Sequence, residues 1–193
     1  MGAGILPTTI HNGKLYFLFG KENKYADTPG WSDFGGGTDS KESHLQTAIR
    51  EGGEEMTGFL GSDQELSKLL KVNGTYNIDG ERKYRMHIFA YEYNPSLPFY
   101  YNNNQNFLQT RLDPKIIETS KIFEKEEIRW VSIDELPQMR SEFRSYFQKT
   151  VDKILQQKKK IYDFIRKGTK KSKTKRREKS GRSTRKATPL KIS

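Results

Sequence analysis

Two short apolar runs, Gly4 to Ile10 and Lys14 to Gly20, flank the tripeptide His11-Asn12-Gly13. Both are rich in β-prone residues. Asn-Gly between such runs accepts the positive φ angles of a two-residue hairpin turn, so the chain is predicted to open with a β-hairpin. Lys21 to Gly37 is polar and glycine-rich and reads as a loop that closes in a tight Gly35-Gly36-Gly37 turn. From Glu42 to Met56 the apolar residues Leu45, Ala48 and Ile49 recur at three and four, which predicts a helix with one buried face. Val72 to Ile78 and Lys83 to Tyr93 suggest a second hairpin turned at Asp79-Gly80. In its second arm Tyr84, Met86, Ile88 and Ala90 alternate with Arg85, His87, Phe89 and Tyr91, so one face is expected on the core and the other toward a cleft.

Asn94 to Ser120 carries two prolines before its middle and then a patch of asparagines, and reads as a long loop or an inserted subdomain. Ile128 to Ile133 is a predicted strand, followed by a turn of helix at Asp134 to Leu136. From Ser141 to about Lys167 the residues Phe143, Phe147, Val151, Ile154, Leu155, Ile161, Tyr162 and Ile165 fall at helical spacing, predicting an amphipathic helix. Strands, helix, strands, helix in that order imply a single α+β or mixed α/β sandwich.

Charge divides the chain. The overall balance is +11, yet from Lys158 onward there are 16 Lys and Arg against 2 acids. The rest, Met1 to Gln157, holds 19 basic and 22 acidic residues, a balance of −3. Reasoning for basic proteins therefore applies to residues 158–193 alone, expected to be helical at their start and then disordered, after a domain of residues 1–157. Lys170-Lys171-Ser172-Lys173-Thr174-Lys175-Arg176-Arg177 suits RNA or another polyanion, a nuclear-import signal, or simple solubilisation. With no cysteine, thiolate metal sites and disulfides are excluded, which suits an intracellular, cytoplasmic setting. No apolar run approaches the roughly 20 residues of a membrane span, and the first residues lack the pattern of a signal peptide.

The chemistry concentrates in Arg50-Glu51-Gly52-Gly53-Glu54-Glu55. Glu51, Glu54 and Glu55 stand three and four apart, so all three carboxylates are expected on one side of the helix. Like charges at that spacing repel, and glycine costs about 1 kcal/mol relative to alanine in a helix interior. A hard divalent cation would remove the repulsion; a solvated acidic helix face is the plainer alternative.

The spacing changes the balance. Gly36, five residues, Glu42, seven residues, Arg50-Glu51, two residues and Glu54-Glu55 match the Nudix family pattern at six specified positions without a gap. Trp31, five residues before Gly36, and Glu126-Glu127-Ile128-Arg129-Trp130-Val131 followed by Asp134-Glu135-Leu136 also resemble that family. The family's closing glycine would fall at Thr57; it comes one residue late, at Gly58, which is expected as the residue just past the helix. Gly52 is a weak match, and Phe34 replaces a common proline.

The resemblance implies an α/β/α sandwich with a mixed sheet and a hydrolase using Mg²⁺ or Mn²⁺ to cleave a diphosphate linkage. It implies Glu54 and Glu55 as metal ligands and Glu51 as either a ligand or the base that activates water. Arg50 would orient these carboxylates through paired N–H bonds. Glu42 would support the loop or take an outer metal, and the backbone of Gly35 and Gly36 would approach the metal. Glu126 or Glu127 are alternative bases from outside the motif. Trp31, Phe34 and Tyr84 are candidates for stacking a base, against the plainer reading that they are core. The basic segment makes the 5′ cap or 5′ end of RNA one substrate class, as in Nudix proteins of large DNA viruses. A diphosphoinositol polyphosphate or a nucleotide is the other, and a non-catalytic RNA-binding module is the reading from another class.

Overall fold

The computed structural model describes residues 1–120 and 124–169; the lysine- and arginine-rich run beginning at Lys170 lies outside them. Strands β1 (Gly2–His11) and β2 (Lys14–Glu22) form the expected hairpin, with Asn12 and Gly13 at φ values of 47° and 76°. Then come β3 (Trp31–Ser32), β4 (Phe34–Gly37), helix α1 (His44–Glu55) and helix α2 (Asp63–Asn73). They are followed by β5 (Tyr76–Asp79), β6 (Tyr84–Ala90), α3 (Ser96–Arg111), α4 (Pro114–Thr119), β7 (Lys125–Ser132), α5 (Leu136–Met139) and α6 (Gln148–Gln156). After a break at residue 157, residues 158–169 are again helical.

The sheet is mixed. Strands run in the order β3-β2-β1-β6-β5, with β1 and β6 parallel and the other pairs antiparallel; β4 pairs with β1 and β7 with β2. Period-two alternation splits its side chains between two cores. Leu6, Phe17, Phe19, Met86, Ile88 and Val131 pack with Val151, Ile154, Ile161 and Ile165 on one side. Ile5, Leu18, Phe89, Ile128 and Trp130 pack with Ala48, Leu66, Leu70 and Tyr101 on the other. Helices on both faces of one sheet give the α/β/α sandwich.

Several expectations are corrected. Lys21 to Gly37 is not one loop: β2 runs on to Glu22, and Gly35 to Gly37 lie extended in β4, paired with β1. Both faces of β6 are covered, so Phe89 faces a second core rather than a cleft. Helix α2 was hidden in a polar stretch, although Ser62 and Glu65 form a capping box that the spacing could have signalled. Of the two readings of Asn94 to Ser120, a long loop or an inserted subdomain, the loop gives way to helices α3 and α4. The amide of Asn102 there both accepts from Ile128 N–H at 2.8 Å and donates to Ile128 O at 3.1 Å, covering the open edge of β7 as a strand would. The last helix starts at Gln148 rather than Ser141, because Phe143 instead bridges to Trp31.

Candidate functional site

Helix α1 begins under a capping box of Ser43 and Gln46. Its buried residues are Thr47, Ala48, Glu51, Gly52 and Glu55, so the face turned to the sheet carries two carboxylates. Gly52 has a packing reason: a Cβ there would lie 2.3 Å from Ile5 Cδ1 of β1. The cost of that glycine is thus explained by close approach, independent of any metal. The helix ends with Thr57 N–H bonded to Glu54 O at 2.9 Å and Gly58 N–H to Gly53 O at 3.2 Å. That is a Schellman ending in which Thr57, at φ 46°, holds the position just past the helix that was expected of Gly58, and Gly58 follows it at φ 78°.

Two ion networks meet on α1. In the outer one, Arg50 grips Glu42 with a fork, Nε to Oε1 at 2.9 Å and Nη2 to Oε2 at 3.1 Å. Its Nη1 donates to Glu51 Oε1 at 2.7 Å and lies 3.6 Å from Glu54 Oε2, and its Nη2 also donates to Gly37 O at 3.0 Å. The Arg50 bonds hold Glu42 down at about 2, although Glu42 lies at the surface. Glu51 closes on β4: a Cβ on Gly36 would sit 2.6 to 2.7 Å from the Glu51 carboxylate, so only glycine admits that contact. Arg50 therefore orients Glu51 directly and ties the loop carrying Glu42 to β4 and α1.

The inner network is buried and includes residues the sequence did not single out. Lys125, the first residue of β7, is fully buried, and its ammonium pairs with Glu22, donates to Ser32 Oγ at 2.9 Å and lies 3.5 Å from Glu55 Oε1. Arg144 reaches Glu22 at 2.5 Å. Glu55 Oε2 accepts from Gly35 N–H at 2.9 Å. Asp33 accepts from the Tyr84 hydroxyl at 2.9 Å, and burial pushes its carboxyl up to about 7. Burial pulls Lys125 down, but Glu55 and Glu22 outweigh it and hold the ammonium above its usual range. Glu124-Lys125-Glu126-Glu127 looks in sequence like a solvated charge run, and Glu22 like part of a polar loop. Only the pairing of β2 with β7 brings them together.

The three carboxylates expected on one side are therefore split: Glu51 and Glu55 are buried and Glu54 is exposed. Trp31, at 5% exposure, and Phe34, at 0%, sit in the core with no open ring face, and the Tyr84 hydroxyl is committed to Asp33. Glu126 pairs with Lys21 at 2.9 Å, and Glu127 lies opposite Lys21 in the β2–β7 register.

Among the described residues no three His, Cys, Asp or Glu side chains converge into a ready-made metal cage. Mg²⁺ does not require one, since one or two carboxylates with substrate phosphates suffice. Glu51, closed against the bare backbone of Gly36, and the exposed Glu54 present hard oxygen donors of that kind. The donor chemistry fits a divalent ion.

No helix among the described residues is long and apolar enough to cross a membrane. No family model matches the chain. Over 56 residues it is 45% identical to an uncharacterized protein of Acanthamoeba polyphaga mimivirus, a match spanning 28% of this chain and only 18% of that relative. Among solved structures it is similar to a Nudix hydrolase, RenU, from M. smegmatis, with 15% identity and a TM-score of 0.48 over 83% of this chain and 86% of that one. It is also similar to a C. elegans Ap4A hydrolase, with 16% identity and a TM-score of 0.43 over 79% and 93%. A MutT protein from Methanosarcina mazei Go1 shows 20% identity and a TM-score of 0.44 over 82% and 94%. Likenesses of this size transfer no activity.

Proposed function

We propose that this chain is a Nudix-type hydrolase that cleaves a diphosphate linkage in a nucleoside-diphosphate-linked substrate with the help of Mg²⁺ or Mn²⁺. The observation that carries the reading is the Arg50 fork. Residues eight apart in sequence, Glu42 and Arg50, are locked together, and the same guanidinium holds Glu51 against the backbone of Gly36. The six motif positions are thus not a run of surface charge. Gly36, Glu42, Arg50, Glu51 and Glu54 form one braced device at the junction of β4 and α1, with Glu55 held beneath it.

A divalent ion held by Glu51 and Glu54 together with substrate phosphates would offset the charge developing on the leaving phosphate. Arg50 keeps Glu51 in one orientation and, as a charged fork, resists the repulsion between neighbouring carboxylates. We assign to Glu51 the acceptance of the proton of an attacking water, because the Arg50 bond to one of its oxygens fixes the direction of the carboxylate. Of the β4 glycines, Gly37 has nothing within 4 Å of where a Cβ would stand, so a phosphate could approach the backbone there without meeting a side chain.

For the substrate we favour the 5′ cap or 5′-diphosphate end of RNA. The balance of +14 over residues 158–193, beside a body of −3, supports it, since such a segment binds polyanions by counterion release. Nucleotides and diphosphoinositol polyphosphates form the comparison set. The test is turnover of capped RNA, free cap dinucleotide, nucleoside triphosphates, ADP-ribose, diadenosine polyphosphates and diphosphoinositol phosphates, with Mg²⁺ and with Mn²⁺. Metal-dependent release of phosphate or nucleotide from any of them, lost in Glu51→Gln, is expected. RNA binding without turnover of any compound would leave a recognition module in place of a hydrolase.

A further inference from the structure

The lysine at the heart of the inner network stands where a simple reading of the motif would put a metal ion. Its stem passes over Gly20, where a Cβ would come within 2.9 Å of Lys125 Cδ, so the sequence leaves a channel for this side chain. The ammonium then meets Glu22, Ser32 and Glu55. Both oxygens of Glu55 are engaged by the protein, one by Lys125 and the other by Gly35 N–H. The backbone under this pair is fixed as well. The fully buried Tyr101 hydroxyl lies 2.8 Å from Glu55 O and 3.2 Å from Lys125 O, donating between them and joining the end of α1 to the start of β7.

Glu51 and Glu54 are placed otherwise. They gather round Arg50, whose side chain is 23% exposed, and Glu54 opens to solvent. A buried carboxylate needs a cation, and Lys125 already supplies one to Glu55. A divalent ion on Glu55 would have to share a dry site with an ammonium of the same sign, where water screens little of the repulsion.

We propose that Lys125 is a resident cation of the site, holding Glu55 in the place of a metal ion, so that the centre takes one divalent ion, on Glu51 and Glu54. The proposal rests on the hydrolase reading above. Lys125 is a positioning residue: it fixes Glu55, and through the Gly35 N–H it fixes the strand that faces Glu51.

Binding of Mn²⁺ alone to the full chain tests this, followed by the electron spin resonance of free Mn²⁺ and by calorimetry. One Mn²⁺ per chain is expected. Glu51→Gln with Glu54→Gln should weaken binding at least tenfold, and Glu55→Gln less than threefold. The pair Lys125→Gln with Glu22→Gln, which conserves net charge, should admit a second Mn²⁺ that adding Glu55→Gln removes. Two ions in the unaltered chain, or an effect of Glu55→Gln as large as that of the Glu51 and Glu54 pair, would overturn the assignment of Lys125 while leaving the hydrolase reading intact. So would a folded Lys125/Glu22 variant that still takes one ion. Absence of any Mn²⁺ binding at millimolar concentration, both alone and with inorganic diphosphate present, would bring down both. If the Lys125/Glu22 variant does not fold, judged by circular dichroism, the count in the unaltered chain and the Glu55→Gln result decide alone.

Discussion

The outer and inner ion networks share one helix and differ in almost every physical respect. Around Arg50 the groups are partly hydrated: Glu54 is exposed and the guanidinium is reachable from solvent. Around Lys125 everything is dry, with Lys125 at 0%, Asp33 at 3%, Glu55 at 4% and Glu22 at 7% exposure. A hydrated network gives up little when an ion or a phosphate joins it, because its charges still exchange freely with water. A dry network cannot accept a newcomer without repacking, yet removing one of its members leaves a charge with no partner. The outer network is therefore suited to binding and the inner one to holding geometry. Acidic residues that look equivalent along the helix have been assigned to different tasks by the cation each one meets, Arg50 for Glu51 and Glu54 and Lys125 for Glu55.

The largest expected effect separates the two directly. Lys125→Met should destabilise the fold by about 3 to 5 kcal/mol, since Glu55 loses its buried cation and Glu22 keeps only Arg144. Adding Glu55→Gln should restore a substantial part. Urea unfolding at neutral pH measures both, and an unchanged midpoint for Lys125→Met would mean that the inner network is hydrated after all.

The next effect reads the dryness through pH. Asp33 is raised from 3.8 to about 7 by burial, so the folded protein binds this proton more tightly than the unfolded chain. Its contribution is fully present below pH 3.8 and is lost as pH rises through 7. Asp33→Asn removes that dependence while keeping an acceptor for Tyr84. Relative to the unaltered protein, its stability should improve by about 2 kcal/mol on going from pH 5 to pH 8, in paired denaturant titrations. A difference that does not vary with pH would show that Asp33 is not desolvated.

On the outer side, Arg50→Lys keeps the charge but loses the fork on Glu42 and the bond to Glu51. Turnover of whichever diphosphate compound proves to be a substrate should fall at least tenfold, or about 1.4 kcal/mol of barrier, with stability changed by less than that. Full activity in the lysine variant would reduce Arg50 to a surface partner. The smallest effect lies where α1 ends, just beyond Glu54 and Glu55. Thr57 sits at φ 46°, and its hydroxyl is buried without a partner, so Thr57→Gly should stabilise by about 1 kcal/mol in thermal unfolding. A loss of stability would mean that the strain is absent.

Much of the fold was legible because its signals are local. Asn12-Gly13 marks a hairpin, and alternation in β6 and helical spacing across Val151, Ile154, Ile161 and Ile165 mark buried faces. The helices within Asn94 to Ser120 were hidden for a local reason as well. Asparagines favour loops by composition, and nothing in the run Tyr101-Asn102-Asn103-Asn104 says that one amide will cap the edge of a strand 26 residues away.

The chain by itself determined the motif spacing, the split of charge at residue 158 and the side of the sheet to which each apolar residue turns, since those depend on neighbours in sequence. Which carboxylate is buried, and what it meets there, was decided by the tertiary structure. The hydrogen-bonded register of β2 with β7 carries Lys125 to Glu22, and α1 packs close enough over β1 to bring Glu55 to the same point. A salt bridge between residues 103 positions apart has no signature in periodicity or composition, because its partners become neighbours only when the sheet has formed.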